Sequence, residues 1–224
     1  MPALVALLMS LMVVAAGVAF ALRRSAPEEF RGSQLQPPRD TLGFTLTDQN
    51  GQTVSLQGLR GRVVVLTFLY TSCPDICPFT TARLHQVHQM LGKEASQVVF
   101  LAVTMDPERD TVERVRQYSE QWNMADKWHF LTGSREELAP LWDYYWAGDG
   151  ARRAMEGSER DQALEHGHDS FGLDTSALQG WVGDYMVEHL APIHLIDRQG
   201  KVRVAMSSAF QVEDLAHDVR LLLD

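Results

Sequence analysis

Cys73 and Cys77 are the only two cysteines in a chain of 224 residues, and they stand in Thr71-Ser72-Cys73-Pro74-Asp75-Ile76-Cys77-Pro78. A thiolate, rather than a thiol, is the form that binds metal and attacks disulfides. The apolar run VVVLTFLY after Arg62 precedes the pair and suits a strand buried on both faces. Leu84, Val87 and Leu91 follow at helical spacing, so the cysteines fall between a buried strand and the start of a helix. Pro78 suits the first helical position, which makes Cys77 a candidate N-cap. The partial positive charge and unpaired N–H groups of a helix start favour thiolate and lower a cysteine pKa below about 8.5. Three intervening residues let the two sulfurs share one metal ion or bond to each other. A disulfide closing so short a loop would stabilise by only about 2 kcal/mol in the chain-entropy model, so a functional pair accounts for the spacing better than a structural bridge.

Two sulfurs do not complete a usual zinc or iron–sulfur site, each of which takes four protein ligands. Two thiolates plus one imidazole make a three-coordinate set that suits copper. Eight histidines are available. His85 and His88 lie three apart on the helix after the cysteines and read as solvent-facing. His166 and His168 sit in a stretch rich in Gly and charge, spaced like a surface metal site. His194 falls inside a strand, where packing or hydrogen bonding is its expected role. His129 and His217 have no partner in sequence. His189 stands just ahead of the strand beginning at Ile193, and on residues alone it ranks level with His166.

These side chains need a frame, and hydropathy patterning supplies one. Phe44 to Leu56 holds two short alternating runs around Asp48-Gln49-Asn50-Gly51, a hairpin signal. Strands are expected at Arg62–Tyr70, Val98–Met105 and Trp128–Leu131, with a helix from Pro78 to about Leu91. Asp110, with Glu113 three residues on, reads as a capping box opening a helix that runs to about Trp122. Ser134 and Glu137 repeat that signature ahead of a helix to about Trp146, with Pro140 as a kink or restart. From Ala147 to about Asp184 the pattern fades into an inserted loop. Two strands, Ile193–Ile196 and Lys201–Met206, then flank Asp197-Arg198-Gln199-Gly200, and Val212–Leu223 closes the chain as an amphipathic helix. Strands alternating with helices, then a terminal hairpin and helix, indicate an α/β domain with a mixed central sheet. A thioredoxin-like order fits, alongside other small α/β folds.

Ahead of this domain, residues Ala3 to Leu22 carry no charge, and Ser10 is their one polar side chain. Twenty helical residues span about 30 Å, the thickness of a bilayer core. Ala19-Phe20-Ala21 offers the rival reading of a cleaved signal peptide. The length of the stretch and the lack of a basic residue before it favour an uncleaved anchor over residues 1–24. Residues 25–42, rich in Pro, Arg, Gln and Glu, read as a linker, and 43–224 as the domain with its insertion at about 147–184. Arg23 and Arg24 would place the domain in the cytoplasm by the positive-inside rule, although long domains translocate despite flanking charge. The formal net charge is -9, and without a Lys/Arg-rich run a nucleic-acid partner is excluded.

YTSCPDICP, VTMDPERDT, FLTG and VEHLAPIHLIDRQG, with the earlier FTLTDQNGQTVSLQGLRG, resemble successive blocks of the Sco/SenC family of copper chaperones. The resemblance runs from about Gly43 to the C-terminus, apart from the insertion. It implies a thioredoxin-like fold, a single N-terminal span in a bacterial inner membrane and a domain facing the periplasm. It implies one copper ion, Cu(I) or Cu(II), on Cys73, Cys77 and a distant histidine. That histidine lies six positions before the leucine of the family's LID-like strand, which here is His189 before Leu195. It further implies work on the dinuclear CuA centre of cytochrome c oxidase, by donating copper, by reducing that centre's cysteines, or both. The implied partners are the copper-site subunit of a respiratory oxidase and another copper carrier or a thiol reductase. In the redox role, Cys73 and Cys77 would form the reactive pair. Ser72 and Glu188 depart from the family's usual histidine and aspartate. Asp106 and Arg109 are expected to shape a strand end first and to support the site second.

Overall fold

The computed structural model describes Met12, residues 29–145, Ala147 and residues 191–224. Apart from Met12, the expected anchor lies outside the described residues, as do the body of the insertion, His166, His168 and His189. No helix among the described residues is long and apolar enough to cross a membrane.

Eight strands and four helices are described. They are β1 (Ser33–Asp40), β2 (Thr45–Thr47), β3 (Thr53–Ser55), β4 (Val63–Leu69), α1 (Ile76–Leu91), β5 (Val98–Thr104), α2 (Val112–Gln121), β6 (Trp128–Leu131), α3 (Arg135–Tyr144), β7 (Ile193–Ile196), β8 (Lys201–Met206) and α4 (Val212–Leu223). A six-stranded mixed sheet runs β1-β8-β7-β4-β5-β6, and β2 and β3 form a separate hairpin. β4 is parallel to β5 and antiparallel to β7. Every residue of β4 and β5 is buried, as continuous apolar runs demand of strands covered on both faces. Each fully buried Val, Leu or Phe contributes roughly 1.5–3 kcal/mol, so the centre of the sheet is the rigid part of the frame. α1 and α4 pack against each other, and α2 packs on β6. This is the mixed α/β architecture that the patterning leads one to expect.

Two turns of the form Asp-x-x-Gly close hairpins by the same chemistry. Asp48 Oδ1 accepts the N–H groups of Asn50 and Gln52, each at 2.9 Å. Asp197 Oδ1 accepts those of Gln199 at 3.0 Å and Lys201 at 2.9 Å. Gly51 and Gly200 take φ of 73° and 79°, a region open to glycine at little cost.

Two expectations are corrected. Ser33–Asp40, placed by composition in the linker, is a strand antiparallel to β8, with a register shift between Gln34 and Arg39. Pro37 and Pro38 are tolerated there because β1 is an edge strand and a bulge needs no ladder N–H from them. Asp110 does not cap α2. Thr111 does, its hydroxyl accepting from Arg114 N at 3.2 Å, while Asp110 turns into the interior and is fully buried. The capping box of α3 is present as expected, with Ser134 and Glu137 bonded reciprocally and Pro140 inside the helix.

The segment before β1 is pinned to the last helix. Arg31 N and Gly32 N each donate to the buried Asp218 carboxylate at 2.9 Å, and Arg31 Nη1 reaches Asp214 Oδ1 at 2.8 Å. Phe30 packs on the core beside them.

Candidate metal centre

The two cysteines lie where the buried strand hands over to the helix. β4 ends at Leu69, Met105 N donates to Leu69 O at 2.9 Å, and Cys73 N donates to Tyr70 O at 3.3 Å to close a turn. α1 starts at Ile76, two residues earlier than the N-cap role expected of Cys77 would require, so Cys77 lies in the first helical turn and Asp75 precedes the helix. Neither cysteine is in a disulfide and both are buried, with 8% of Cys73 and none of Cys77 exposed. Cys73 is therefore the sulfur that solvent or a partner meets first.

Their environments set the sulfurs apart. The Cys77 side chain hydrogen-bonds to Cys73. With help from the Cys77 and Asp75 backbone N–H groups and the Tyr70 hydroxyl, it brings Cys73 down to about 6 against the pull of burial. Burial pushes the Cys77 thiol up, and the negative charge of a Cys73 thiolate beside it adds to the rise. The two shifts run in opposite directions, so Cys73 is the sulfur favoured as thiolate and Cys77 the one favoured as thiol. A thiolate is the form that a helix start favours.

The turn is braced from behind by residues 39 positions away in sequence. Both Asp110 carboxylate oxygens accept from Thr71 N at 3.2 Å, Oδ1 accepts from Thr71 Oγ1 at 2.5 Å, and Oδ2 accepts from Thr104 Oγ1 at 2.6 Å. Arg114 Nε donates to Thr71 Oγ1 at 3.3 Å. Burial raises the Asp110 carboxyl above its ordinary value, although the Thr104 and Thr71 hydroxyls pull it back. Asp106, also fully buried, shapes the loop. Its carbonyl accepts from Arg109 N and Asp110 N at 3.1 and 2.8 Å, and its carboxylate lies 3.8 Å from Arg109 Nε. DPERDT is thus a turn that delivers Asp110 to Thr71, two residues before Cys73. Sequence reading missed Tyr70, Thr71 and Thr104 and took Asp110 for a cap. The one available signal was that Thr71 and Asp110 both lie inside the blocks that carry the family resemblance.

The other histidines have local roles. His194 is fully buried, its Nε2 is 2.8 Å from Tyr145 O, and burial lowers its pKa to about 4, so it stays neutral. His129 Nδ1 lies 2.9 Å from Asp48 Oδ2, and His217 Nδ1 lies 3.0 Å from Asp218 Oδ1. His88, expected on the solvent face, is half-buried with its ring 5.7 Å from that of Phe100. Among the described residues no three His, Cys, Asp or Glu side chains gather into a metal-holding group. The donor set in view is two adjacent sulfurs in a nearly dry pocket. It fits a soft ion of low coordination number and lacks the four ligands of a structural zinc site.

Comparison with known proteins agrees with this frame. The SCO1/SenC family model matches residues 33–177. A SCO2-like protein of Rickettsia typhi is 26% identical, over 87% of this chain and 85% of its own. Bradyrhizobium japonicum ScoI, solved with copper bound, superposes with a TM-score of 0.60 at 26% identity, covering 82% of this chain and 99% of that one. BsSco, a member of the Sco family of cytochrome c oxidase assembly proteins in which a disulfide switch has been identified, shares the fold. Its TM-score is 0.57 at 23% identity, covering 82% of this chain and 93% of that one.

Proposed function

The chain belongs to the SCO1/SenC family, and from that premise we propose that it is a copper metallochaperone that carries one copper ion on Cys73, Cys77 and His189. The observation that carries this reading is the pair of buried, mutually hydrogen-bonded sulfurs at the start of α1, neither in a disulfide and one of them poised as thiolate. Soft thiolates select copper(I), zinc or iron–sulfur clusters, and a set of fewer than four protein ligands suits copper. A pocket that exposes one sulfur and hides the other lets copper enter and leave by stepwise ligand exchange. Binding displaces the remaining thiol proton, so affinity falls as the solution becomes more acidic. The recipient in this reading is the CuA-bearing subunit of a respiratory oxidase. Residues 1–24 hold the domain at a bacterial inner membrane on its periplasmic side. Support for the recipient is the description of BsSco as a member of a family of oxidase assembly proteins, and support for the ion is the copper-bound ScoI.

A second reading rests on the asymmetry of the two sulfurs. As a thiol–disulfide oxidoreductase, Cys73 thiolate attacks a partner disulfide and expels one partner thiolate. Cys77 then displaces the mixed disulfide, releasing the second partner thiol and leaving a Cys73–Cys77 bridge. The partner gains the two electrons that the pair loses.

Anaerobic copper(I) titration of the detergent-solubilised protein, followed by oxidation and a visible spectrum, tests the choice. One copper per chain with a thiolate-to-copper(II) band supports the carrier. Intact copper binding in His189→Ala would overturn the three-ligand site. A protein that takes up no copper yet exchanges disulfides readily moves the assignment to the second reading.

A further inference from the structure

Tyr70 has no part in the ligand set, yet it makes three contacts with the cysteine turn. Its carbonyl accepts from Cys73 N at 3.3 Å. Its backbone hydrogen-bonds to Cys77, and its hydroxyl hydrogen-bonds to Cys73. The residue is 3% exposed, so water does not compete for that hydroxyl. We propose that Tyr70 is a positioning residue whose phenolic O–H donates to Cys73 sulfur and sets how strongly that sulfur donates electrons, to an attacked disulfide or to a bound copper ion.

The physical case is short. A phenol aimed at a sulfur in a dry pocket has one useful role, that of donor, because a charged phenolate beside a thiolate would be repelled and unsolvated. Hydrogen bonds to an anionic acceptor are about twice as strong as neutral ones, and those around a metal-bound cysteine sulfur tune its redox behaviour. Cys73 also receives two backbone N–H groups, which any residue could supply in that turn. The phenol is the one donor to Cys73 whose removal leaves the backbone and the other sulfur intact. The copper arm of this inference rests on the carrier reading; the nucleophile arm does not.

Tyr70→Phe keeps the ring and removes the donor. In the copper-free reduced protein, iodoacetamide labelling is followed at a pH where Cys73 is wholly thiolate, with the site mapped by mass. A Brønsted slope of roughly 0.4–0.5 turns a tenfold gain in thiolate basicity into about a threefold gain in rate, and that gain is the expected result. In the copper(II) form the thiolate-to-copper band moves to longer wavelength and the copper potential moves negative. Replacing Tyr70 with 3,5-difluorotyrosine, a stronger donor, moves the rate, the band and the potential the opposite way. The fluorinated protein decides the question should the Phe variant fail to fold. Unchanged labelling rates in the folded variants overturn the proposal. Wild-type protein that takes up no copper sinks the carrier reading, while the labelling arm still judges Tyr70.

Discussion

Asp110 and Asp48 are both fully buried carboxylates, and their surroundings push them in opposite directions. Around Asp48, burial opposes the charge, but the His129 ring and the N–H groups of Gln52 and Asn50 outweigh it and hold the carboxyl below its ordinary value. Around Asp110, burial wins, assisted by the nearby Asp106 charge, and the carboxyl rises. The difference is one of donors. At the turn, two amide N–H groups only donate to Asp48 Oδ1, and the His129 ring lies against Oδ2. A hydroxyl donates to a carboxylate and can accept from a carboxylic acid, so the Thr71 and Thr104 cage tolerates either form. Asp48 builds a hairpin whose partners are its own turn and β6. Asp110 ties the cysteine turn to the end of β5 through bonds spanning 39 residues. Of the two, Asp110 touches the turn that carries the sulfurs, and its charge adds to the rise of the Cys77 thiol.

The sharpest way to break this comparison is truncation. Asp110→Ala strands the Thr71 N–H and two hydroxyls, and a loss of about 3 kcal/mol is expected in urea unfolding. The cysteine turn then loses its brace, and copper affinity falls about 10–100-fold by competition titration. Wild-type Cys73 alkylation should be half-maximal near pH 6, and the variant's profile should move away from it. Asp48→Ala, by contrast, should cost about 1–3 kcal/mol and leave the Cys73 alkylation profile where it is. Equal damage to the sulfurs from both variants would erase the distinction.

Acid titration of stability sharpens it further, since the signs are opposite. Asp48 has a folded pKa below the unfolded value of about 3.9. Its stabilisation is present above that value and is lost as pH falls through the folded pKa. Asp110 has a folded pKa above the unfolded value, so the native state binds the extra proton. Its contribution is most favourable below about 3.9 and declines as pH rises through the folded pKa. Urea midpoints measured from acid to neutral pH should therefore lose their low-pH fall in Asp48→Asn. In Asp110→Asn they should lose a decline on the less acid side. Matching profiles for the two Asn variants would contradict the assigned directions. The smallest effect is expected outside both regions. Arg31→Ala removes a partly exposed pair with Asp214 and should change stability by about 1 kcal/mol or less, with copper affinity unmoved.

Much of this frame was legible in the sequence. The Asp-x-x-Gly turns announced both hairpins, the continuous apolar runs announced β4 and β5, and Ser134 with Glu137 announced α3. Local rules govern those features. β1 was hidden because two prolines and five polar residues look like a linker until β8 is present to pair with them. Asp110 was misread by one position, since Asp110–Glu113 mimics a capping box while Thr111 in fact supplies the cap. The brace on the cysteine turn depends on the β4–β5 register, which no local pattern encodes. Cys73 and Cys77 stood out by their spacing and their place between a buried strand and a helix, whereas Tyr70 was invisible because a tyrosine ending a buried strand reads as core.

The borders of the sheet have a consequence for how another protein can approach. On one side β1 bulges around Pro37 and Pro38, and on the other the hairpin reaches past β6 through the Thr47–Thr132 bridge. Neither border offers a clean ladder template, so β-augmentation by a guest strand is disfavoured on both sides. Fibril-like self-association through the flanks is suppressed by the same geometry.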